Sequence, residues 1–466
     1  MESSKEFRGD NKLLIGIIIG VLTFWLFAQS LVNIVPTLQS SFNTNMGTIN
    51  IAVGLSALFS GLFIVGAGDI ADKFGRVKMT YLGLALNIIG SLLLIIAPIA
   101  WLLLIGRALQ GLSGAFIMPS TLAIINEYYI GKDRQRAVSF WSIGSWGGSG
   151  ICSLFGGFMA YTVGWQWIFI VSIALSILAF FLIKHTPETK YEPGPEETEN
   201  NSKFDVMGLI LLVITLLSVN VMVTQAADRG LFSPMILSLG VVFLVAGILF
   251  IIRELKADNP LVDFHLFLNK GYSGATLSNF MLNGVAGGTL IVVNTYYQSQ
   301  LGFSSLQAGL ISITYLVAVL IMIRVGEKLL QKQGAKRPLL MGSGFTFVGL
   351  LLLSLTFLPN VAYIISSIIG YLLFGIGLGT YATPSTDTAV AEAPDDKVGV
   401  ASGVYKMASS LGNAFGVAMS STIYGFCASQ MNLQLGGAAG VIFNAGIALT
   451  AFVVILFLVP KKAGKI

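Results

Sequence analysis

The chain has 466 residues, of which 55% are hydrophobic and only 11% are charged. Its mean hydropathy is +0.82, whereas a soluble domain carries about 25% charged residues. Water is therefore not its main solvent, and the composition excludes an ordinary soluble enzyme. Lys and Arg total 27 against 22 Asp and Glu, but they lie in short loops between apolar runs rather than in one patch, so nucleic acid is not a predicted partner.

The apolar runs are long and unbroken, which predicts an all-α integral membrane protein in a lipid bilayer. A hydrocarbon core about 30 Å thick requires about 20 mainly apolar residues per helix, and a membrane barrel would show alternation instead. We predict fourteen transmembrane helices, with the following approximate bounds: 13–36, 48–69, 79–98, 101–126, 137–161, 165–184, 205–227, 233–253, 273–298, 305–325, 338–358, 361–386, 398–427 and 437–459.

The distribution of basic residues predicts that both termini are cytoplasmic. Of the 27 Lys and Arg, all but Arg107, Arg229, Arg324 and Lys406 fall in segments that would then lie inside, as expected for cytoplasmic loops. An odd number of spans would break this separation. The polar segment 1–12 precedes a full-length apolar run and has no A-x-A site, so a cleaved signal peptide is not predicted. A multi-pass protein of the bacterial cytoplasmic membrane fits this pattern.

The polar stretch Thr186 to Lys203 is rich in Pro, Glu, Asn and Thr and predicts a solvated linker. The loop 68–78 after the second helix has a looser echo in 326–337 after the tenth. Such echoes are typical of repeat-built transporters that bind substrate between two halves. We predict an amino-terminal six-helix bundle at 1–184, a cytoplasmic linker at 185–203, two inserted helices with their loop at 204–271, and a carboxyl-terminal six-helix bundle at 272–466.

The loop GDIADKFGRVK, residues 68–78, combines two glycines with acidic and basic residues at short spacings. Gly68 and Gly75 permit a tight turn, Asp72 can face a positive helix end, and Arg76 favours the cytoplasmic side. The loop resembles the G-x-L-x-D-x-x-G-R-x-K signature of the major facilitator superfamily. The resemblance implies a conformational latch made of Gly68, Asp72, Gly75 and Arg76, in which Asp72 contacts the start of the thirteenth helix near Val398. The plainer alternative is a merely basic cytoplasmic loop.

Intramembrane charges provide candidates for proton coupling. Arg107 lies in LLIGRALQGLSGA, residues 103–115, which resembles the family's R-x-x-Q-G pattern. Arginine costs roughly 2.5–3.5 kcal/mol at membrane depth, so Arg107 needs partners or water. The resemblance implies a part in proton coupling. The alternative, which does not exclude coupling, is that Arg107 snorkels to the outer interface or binds carbonyls of the first helix. Lys406 has Asp387 as a predicted titratable partner, with solvation of Asp387 and snorkelling of Lys406 as the alternative. Glu127 is a further candidate, although nearby Lys132 and Arg134 suggest a cytoplasmic cluster.

The fifth helix contains GSWGGSGICSLFGG, residues 144–157, where the family's antiporters have G-x-x-x-G-P-x-x-G-G. Gly148, Gly156 and Gly157 match, whereas Cys152 and Ser153 replace the Gly-Pro pair. Small residues at this spacing also suit ordinary close packing of helices. The two cysteines, Cys152 and Cys427, lie in apolar segments and predict no disulfide. His185 and His265 are too far apart in sequence to argue for a metal site.

A drug pocket is mainly apolar and aromatic with a few polar groups. The first helix offers Gln29 and Asn33 where related exporters carry an aspartate, which disfavours strongly cationic drugs and favours zwitterionic or neutral aromatic ones. The candidate substrate-binding residues, each of which could instead face lipid or core, are Phe24, Trp25, Gln29, Asn33, Met118, Trp146, Asn283, Asn294, Tyr297 and Tyr315.

Over nearly its full length the chain resembles the fourteen-helix drug:proton antiporters of this superfamily. Its sequence motifs are very similar to those of the quinolone-exporting members. The resemblance implies a monomer that exports fluoroquinolones and other amphipathic compounds in exchange for protons. No phosphate-loop motif is present, so the proton gradient is the expected energy source, without a cofactor. The alternatives are a metabolite uniporter or symporter and a non-transporting membrane sensor or scaffold. A membrane enzyme is not predicted.

Overall fold

The computed structural model describes residues 7–28, 30–31, 38, 41–42, 46–96, 99–189, 204–229, 233–257, 260–262, 264–303 and 305–464. Within these ranges the chain is helical and contains no strand. We number the helices as follows: α1 (Asn11–Leu22, continuing as a π-helical turn Thr23–Ala28), α2 (Met46–Phe74), α3 (Arg76–Ile96), α4 (Ala100–Tyr128), α5 (Gly131–Ser142, a π-helical segment Ile143–Gly147, then Gly148–Thr162), α6 (Gln166–Ile183), α7 (Val206–Arg229), α8 (Pro234–Lys256), α9 (Lys270–Gln300), α10 (Ser305–Gln333), α11 (Lys336–Leu353), α12 (Asn360–Ala391), α13 (Val398–Gln430) and α14 (Leu433–Leu458).

Eleven helices of the described part are long and apolar enough to cross a membrane, which confirms an all-α fold built of membrane-capable helices. The remaining three are α5, α7 and α13. Helix α5 is divided by its π-helical segment into α-helical parts of 12 and 15 residues, and α7 has only the shorter apolar stretch Val206–Val219.

Several helices extend beyond their predicted apolar runs. Helix α10 was predicted to end near residue 325 and reaches Gln333, and α5 was predicted to begin near residue 137 and begins at Gly131. Both extensions carry charged side chains, including Lys328, Lys332 and Arg134. A helix predicted from hydropathy ends at the first charged residue. The backbone hydrogen bonds of the helix continue through Lys and Arg, because these residues have good helix propensity.

The Cα positions group into two compact units. The first comprises Met1–Ile210, Arg253–Asp263 and Ala393–Met407, and the second comprises Leu211–Ile252, Phe264–Glu392 and Ala408–Ile466. In the first unit α4 packs against α2 and α3, and α6 packs against α1 and α3. In the second unit α12 packs against α10 and α11, and α14 packs against α9 and α11. The pairings of α1–α6 therefore recur in α9–α14, which matches the duplication that the loop echo suggests.

Two close helix crossings show the same recurrence. In the first unit, a Cβ on Gly90 of α3 would lie 2.7 Å from the carbonyl oxygen of Gly106 on α4; in the second, a Cβ on Gly349 of α11 would lie 2.7 Å from that of Gly370 on α12. Glycine is required at these crossings because any side chain would push the backbones apart.

The helix starts recur as well. Asp10 accepts the Leu13 N–H at the start of α1, and its carbonyl accepts the Tyr129 hydroxyl just after α4. Asn269 accepts the N–H groups of Gly271 and Tyr272 at the start of α9, and its amide donates to Glu392 just after α12. Each cap leaves fewer helix amides without a partner, and each ties the first helix of its unit to the end of the fourth.

Candidate functional site

Asp72, near the end of α2, lies at the centre of a buried ionic network in the first unit. Its Oδ1 accepts from Arg76 Nε at 3.0 Å, and its Oδ2 accepts from the Val400 N–H at 3.1 Å. The Arg76 guanidinium also donates to Glu127 Oε2 and to the carbonyl oxygen of Asp395, both at 3.1 Å. The network thus joins α2, α3 and α4 to the segment that begins α13.

Two features of the predicted latch depend on glycine. Gly68 crosses Gly399 so closely that a Cβ on Gly399 would lie 2.6 Å from the Gly68 carbonyl oxygen, and a Cβ on Gly68 would overlap the Gly399 carbonyl. Gly75 has a φ of 121°, a backbone conformation that side chains disfavour. The motif positions are therefore occupied by glycine because the backbone geometry requires it.

Glu127, a predicted proton-coupling candidate, is an ion-pair partner of Arg76, and its side chain is 48% exposed. Glu127 and Arg76 are 51 positions apart in the sequence, so the sequence pattern predicted a cluster of Glu127 with its neighbours Lys132 and Arg134 instead. An exposed carboxylate held by a buried arginine belongs to the Asp72 network, and this placement favours a structural role there.

The sequence reading missed a contact between the start of the polar stretch and the same loop. The Glu188 carboxylate accepts the N–H groups of Val77 and Lys78, each at 2.9 Å, and Arg76 N donates to the carbonyl of Thr189. Tyr128 donates its hydroxyl to the carbonyl of Pro187. An acidic residue 110 positions away gave no local signal that it caps α3.

Arg107 is fully buried in α4. It donates to the carbonyl oxygens of Ala28, Ala52 and Val53 at 2.5, 2.9 and 3.1 Å. It also donates to Gln110 Oε1 at 2.7 Å and to Ser56 Oγ at 2.6 Å. The alternative of binding carbonyls of the first helix is thus present, and α2 supplies two more. Because the guanidinium presents five donors in a fixed fork, its desolvation cost is offset by this set of acceptors.

Helix α5 adopts a π-helical segment at Ile143–Gly147, opposite the π-helical turn Thr23–Ala28 of α1. Such segments often mark functional sites in helices. A Cβ on Gly148 would lie 2.9 Å from the Trp25 Cβ, and a Cβ on Gly156 would overlap the Ser30 carbonyl, whereas Gly157 faces open space. Cys152 is buried and donates to the Ser149 carbonyl; the side chain of Ser153 lies outside the described part.

The two ionisable residues predicted to pair belong to different units. Asp387 is fully buried in α12. Lys406 in α13 is 6% exposed, and its ammonium lies 4.3 Å from the centroid of the Trp141 ring. Their pairing stays a prediction. Arg324 forms an ion pair with Glu327, three residues further along α10.

The predicted substrate-binding residues fall into both units. In the first, Phe24 and Met118 are buried, Trp25 and Trp146 are half-buried, and Phe24 and Trp25 meet edge to face with ring centroids 5.3 Å apart. In the second, Tyr297 donates to Ser367 at 2.5 Å, and Tyr315 packs on Phe374. Asn283 donates to Asn279 at 2.8 Å, and Asn294 is half-buried. Gln29 and Asn33 lie outside the described residues. Within the described residues no group of three His, Cys, Asp or Glu could hold a metal ion.

Residues 14–417 match the family model of the Major Facilitator Superfamily. This match agrees with the helical fold, the Asp72 network and the buried Arg107. The chain belongs to the major facilitator superfamily. It is therefore a multi-pass membrane transporter and not an enzyme.

Relatives within the superfamily include the proteins named quinolone resistance protein NorB from Staphylococcus aureus strains MSSA476 and MW2. Each is 60% identical over 460 residues, which cover 99% of this chain and 98% of the relative. Two solved structures share the fold: a proton:xylose symporter, XylE, with a TM-score of 0.66, 16% identity and coverage of 97% and 96%, and the human organic anion transporter MFSD10, with a TM-score of 0.67, 14% identity and coverage of 95% and 99%.

Proposed function

We propose that this chain is a proton-driven multidrug exporter that moves quinolones and other amphipathic compounds out of a bacterial cell by alternating access. The observation that carries the proposal is the 60% identity to the NorB quinolone resistance proteins across 99% of the chain. Because the identity is this high and the alignment covers nearly all of both chains, we expect the two proteins to share a transport mechanism. The identity does not itself identify the residues that act, and these are argued from geometry.

The proposed topology is fourteen spans with both termini in the cytoplasm of a bacterial cell, organised as the bundles 1–184 and 272–466 with the linker 185–203 and the inserted segment 204–271 between them. The recurrence of helix pairings in α1–α6 and α9–α14 supports two six-helix bundles. The cluster of basic residues around the α2–α3 loop supports its cytoplasmic location. We propose a monomer that needs lipid, drug and protons but no cofactor.

The proposed latch consists of Gly68, Asp72, Gly75 and Arg76. Asp72 holds the first turn of α13 against the end of α2 through the Val400 N–H, and this contact has to break whenever the two segments separate. Protonation or loss of the Asp72 charge would weaken the bond, because charge-assisted hydrogen bonds are about twice as strong as neutral ones.

The proposed coupling residues are Arg107, Asp387 and Lys406, with Glu127 as the weakest candidate because of its exposure and its bond to Arg76. Asp387 is a carboxylate buried inside a membrane-spanning helix, where ionisable residues are costly and mark proton or substrate pathways. One elementary charge moving across the membrane yields about 2.3 kcal/mol per 100 mV, which can drive uphill export if proton entry and drug exit are linked.

The test is transport by the purified full-length protein in liposomes. With an imposed pH difference, the protein should move a fluoroquinolone against its concentration gradient, and a protonophore should abolish that movement. Transport that persists without a pH difference would indicate a uniporter. If the protein retains the pH difference in its liposomes and still moves no drug uphill, the proposal is wrong.

A further inference from the structure

Two buried cations in the first unit differ in how they are satisfied. Arg107 binds three backbone carbonyls and two side-chain oxygens. Lys406 is also buried, with 6% of its surface exposed, and its ammonium lies 4.3 Å from the Trp141 ring centroid and 5.6 Å from the Tyr405 ring centroid. The described residues of the first unit supply its ammonium with neither a carboxylate nor a hydrogen-bond acceptor.

Within the described residues of the first unit, the three N–H donors of Lys406 are therefore unused. A buried ammonium without an acceptor loses its hydration and gains little in return, and contact with an aromatic face compensates for only part of that loss, by about 2 kcal/mol when the pair is desolvated. An ionisable residue buried inside a membrane protein pairs with another polar group or marks a substrate or ion pathway.

The neighbouring groups define what that ligand would be. The Trp141 ring is fully buried, and its orientation is fixed by a hydrogen bond from Nε1 to Thr121 Oγ1 at 3.0 Å. Ser402 precedes Lys406 by four residues on α13, so both side chains lie on one helix face. The Ser402 hydroxyl is buried and has no hydrogen-bond partner among the residues that the structure describes. The cluster therefore combines a rigid aromatic wall with unused donors from two side chains.

We propose that Lys406, Ser402 and Trp141 bind the carboxylate end of an aromatic acid, so that the exporter recognises anionic and zwitterionic aromatic compounds through this group. The inference rests on the proposed export function and adds a substrate class to it. Quinolone drugs are aromatic rings that bear a carboxylate, which matches the cluster. The first predicted helix, 13–36, contains no Asp or Glu, so the chain also lacks the counter-charge there that would select a cation.

The experiment compares a fluoroquinolone with its own methyl ester, which keeps the ring system and loses the anionic oxygen. Equilibrium binding to the purified full-length protein is measured for the wild type, Lys406→Met, Lys406→Arg and the control Lys328→Met, whose lysine is exposed on α10. Lys406→Met keeps the length of the side chain and removes an unpaired charge, so the variant is expected to fold, which a monodisperse gel-filtration profile checks.

For Lys406→Met we expect the Kd of the acid to rise between about 10-fold and about 100-fold, the usual effect of losing a hydrogen bond to a charged group, while the Kd of the ester changes less than twofold. Lys406→Arg should restore most of the acid affinity, and Lys328→Met should resemble the wild type. Ser402→Ala should weaken the acid by a smaller factor than Lys406→Met does.

Three results would overturn the inference. They are an unchanged acid affinity in Lys406→Met, an equal loss of acid and ester, and a wild type that binds the two compounds equally. An equal loss is what a purely structural or Asp387-pairing role of Lys406 predicts. Because binding is measured without a gradient, these results are independent of the proposed function, which fails instead if wild-type liposomes move neither compound under an imposed pH difference.

Discussion

The Asp72 carboxylate accepts the Val400 backbone N–H at 3.1 Å although the two residues are 328 positions apart. The same carboxylate accepts from Arg76, and both oxygens are used. A side chain that binds a backbone amide in the first turn of a helix benefits from the positive end of the helix dipole. This bond therefore responds to the charge of Asp72 and to the approach of α2 and α13.

Replacing Asp72 by Asn keeps the shape of the side chain and removes its charge. The amide nitrogen of Asn cannot accept a hydrogen bond, so one of the two bonds from Val400 and Arg76 is lost. The other no longer goes to a charged acceptor, and each change costs about 1 kcal/mol or more. We expect Asp72→Asn to lower quinolone export in liposomes by about tenfold, with the protein still folded. Initial transport rates in wild-type and variant liposomes measure this effect.

Asp69 provides the matched control. It lies one turn earlier on α2 and pairs with Lys73 at 2.9 Å rather than with α13. Asp69→Asn should therefore keep at least half of the transport rate. Equal losses in both variants would mean that any carboxylate at this end of α2 matters, and a normal rate in Asp72→Asn would remove the latch.

The Gly68–Gly399 crossing predicts a steric effect. In Gly68→Ala the new methyl group overlaps the Gly399 carbonyl, and overpacking at such a contact costs about 1–3 kcal/mol. We expect a lower melting temperature and slower export. Gly54→Ala on the same helix adds a methyl group that meets no atom within 4 Å, and it should match the wild type in both measurements. A melting temperature for Gly68→Ala that equals that of Gly54→Ala would contradict the packing argument.

Arg107 should tolerate no substitution, even by lysine. Lysine has a single compact ammonium, whereas the three carbonyls of Ala28, Ala52 and Val53 are bound through three different guanidinium nitrogens. We expect Arg107→Lys to lose more than about 90% of transport because one ammonium cannot reach all five acceptors of the guanidinium, and each lost bond to a charged group costs about 1–3 kcal/mol. Arg324→Lys is the control, since one ammonium can still pair with Glu327. Retention of half the wild-type rate in Arg107→Lys would show that charge alone is needed.

Much of the fold was accessible from the sequence because lipid imposes a simple rule on each segment. Every span has to satisfy its own backbone hydrogen bonds, so apolar runs predict helices, and the predicted helix at 101–126 lies within α4 (Ala100–Tyr128). The rule concerns one helix at a time. The rule does not predict polar helix extensions such as Lys328 to Gln333. It also identifies α5 and α13 less clearly, because the Gly and Ser residues of these helices favour close packing without making the segment more apolar.

The site was accessible only where a motif is contiguous. Gly68, Asp72, Gly75 and Arg76 stand within nine residues, and the resemblance of this short segment to the family signature implied their relation. Glu127 and Glu188 act on Arg76 and α3 from 51 and more than 100 residues away. Contacts of this kind depend on how helices pack, and no local pattern in the chain records them. For the same reason, the contact of Lys406 with Trp141 could not be predicted from the sequence, since Trp141 is on another helix.

Asp387 is the carboxylate whose titration would link protons to drug. If it takes up the transported proton, Asp387→Asn has no proton to bind at that position, and we expect uphill export to be lost at every pH between 6 and 8, the roughly physiological range, while downhill drug movement continues. Counterflow of labelled drug in liposomes without a pH difference measures the downhill activity. Asp396→Asn, in the segment before α13, is the control. Unchanged uphill efflux at every pH would remove Asp387 from coupling.

Glu188 predicts an effect on the linker rather than on drug recognition. Its carboxylate caps α3 through Val77 and Lys78, and a lost cap costs about 1 kcal/mol. In Glu188→Ala the segment Pro187–Thr189 should detach more often from the loop, so we expect trypsin to cut at Lys184 about fivefold faster, the factor that about 1 kcal/mol gives for the open population. His185→Ala changes an exposed residue of the same segment that takes no part in the cap, and it should be cut at the wild-type rate. Equal cleavage of the two variants would show that the cap does not hold the linker.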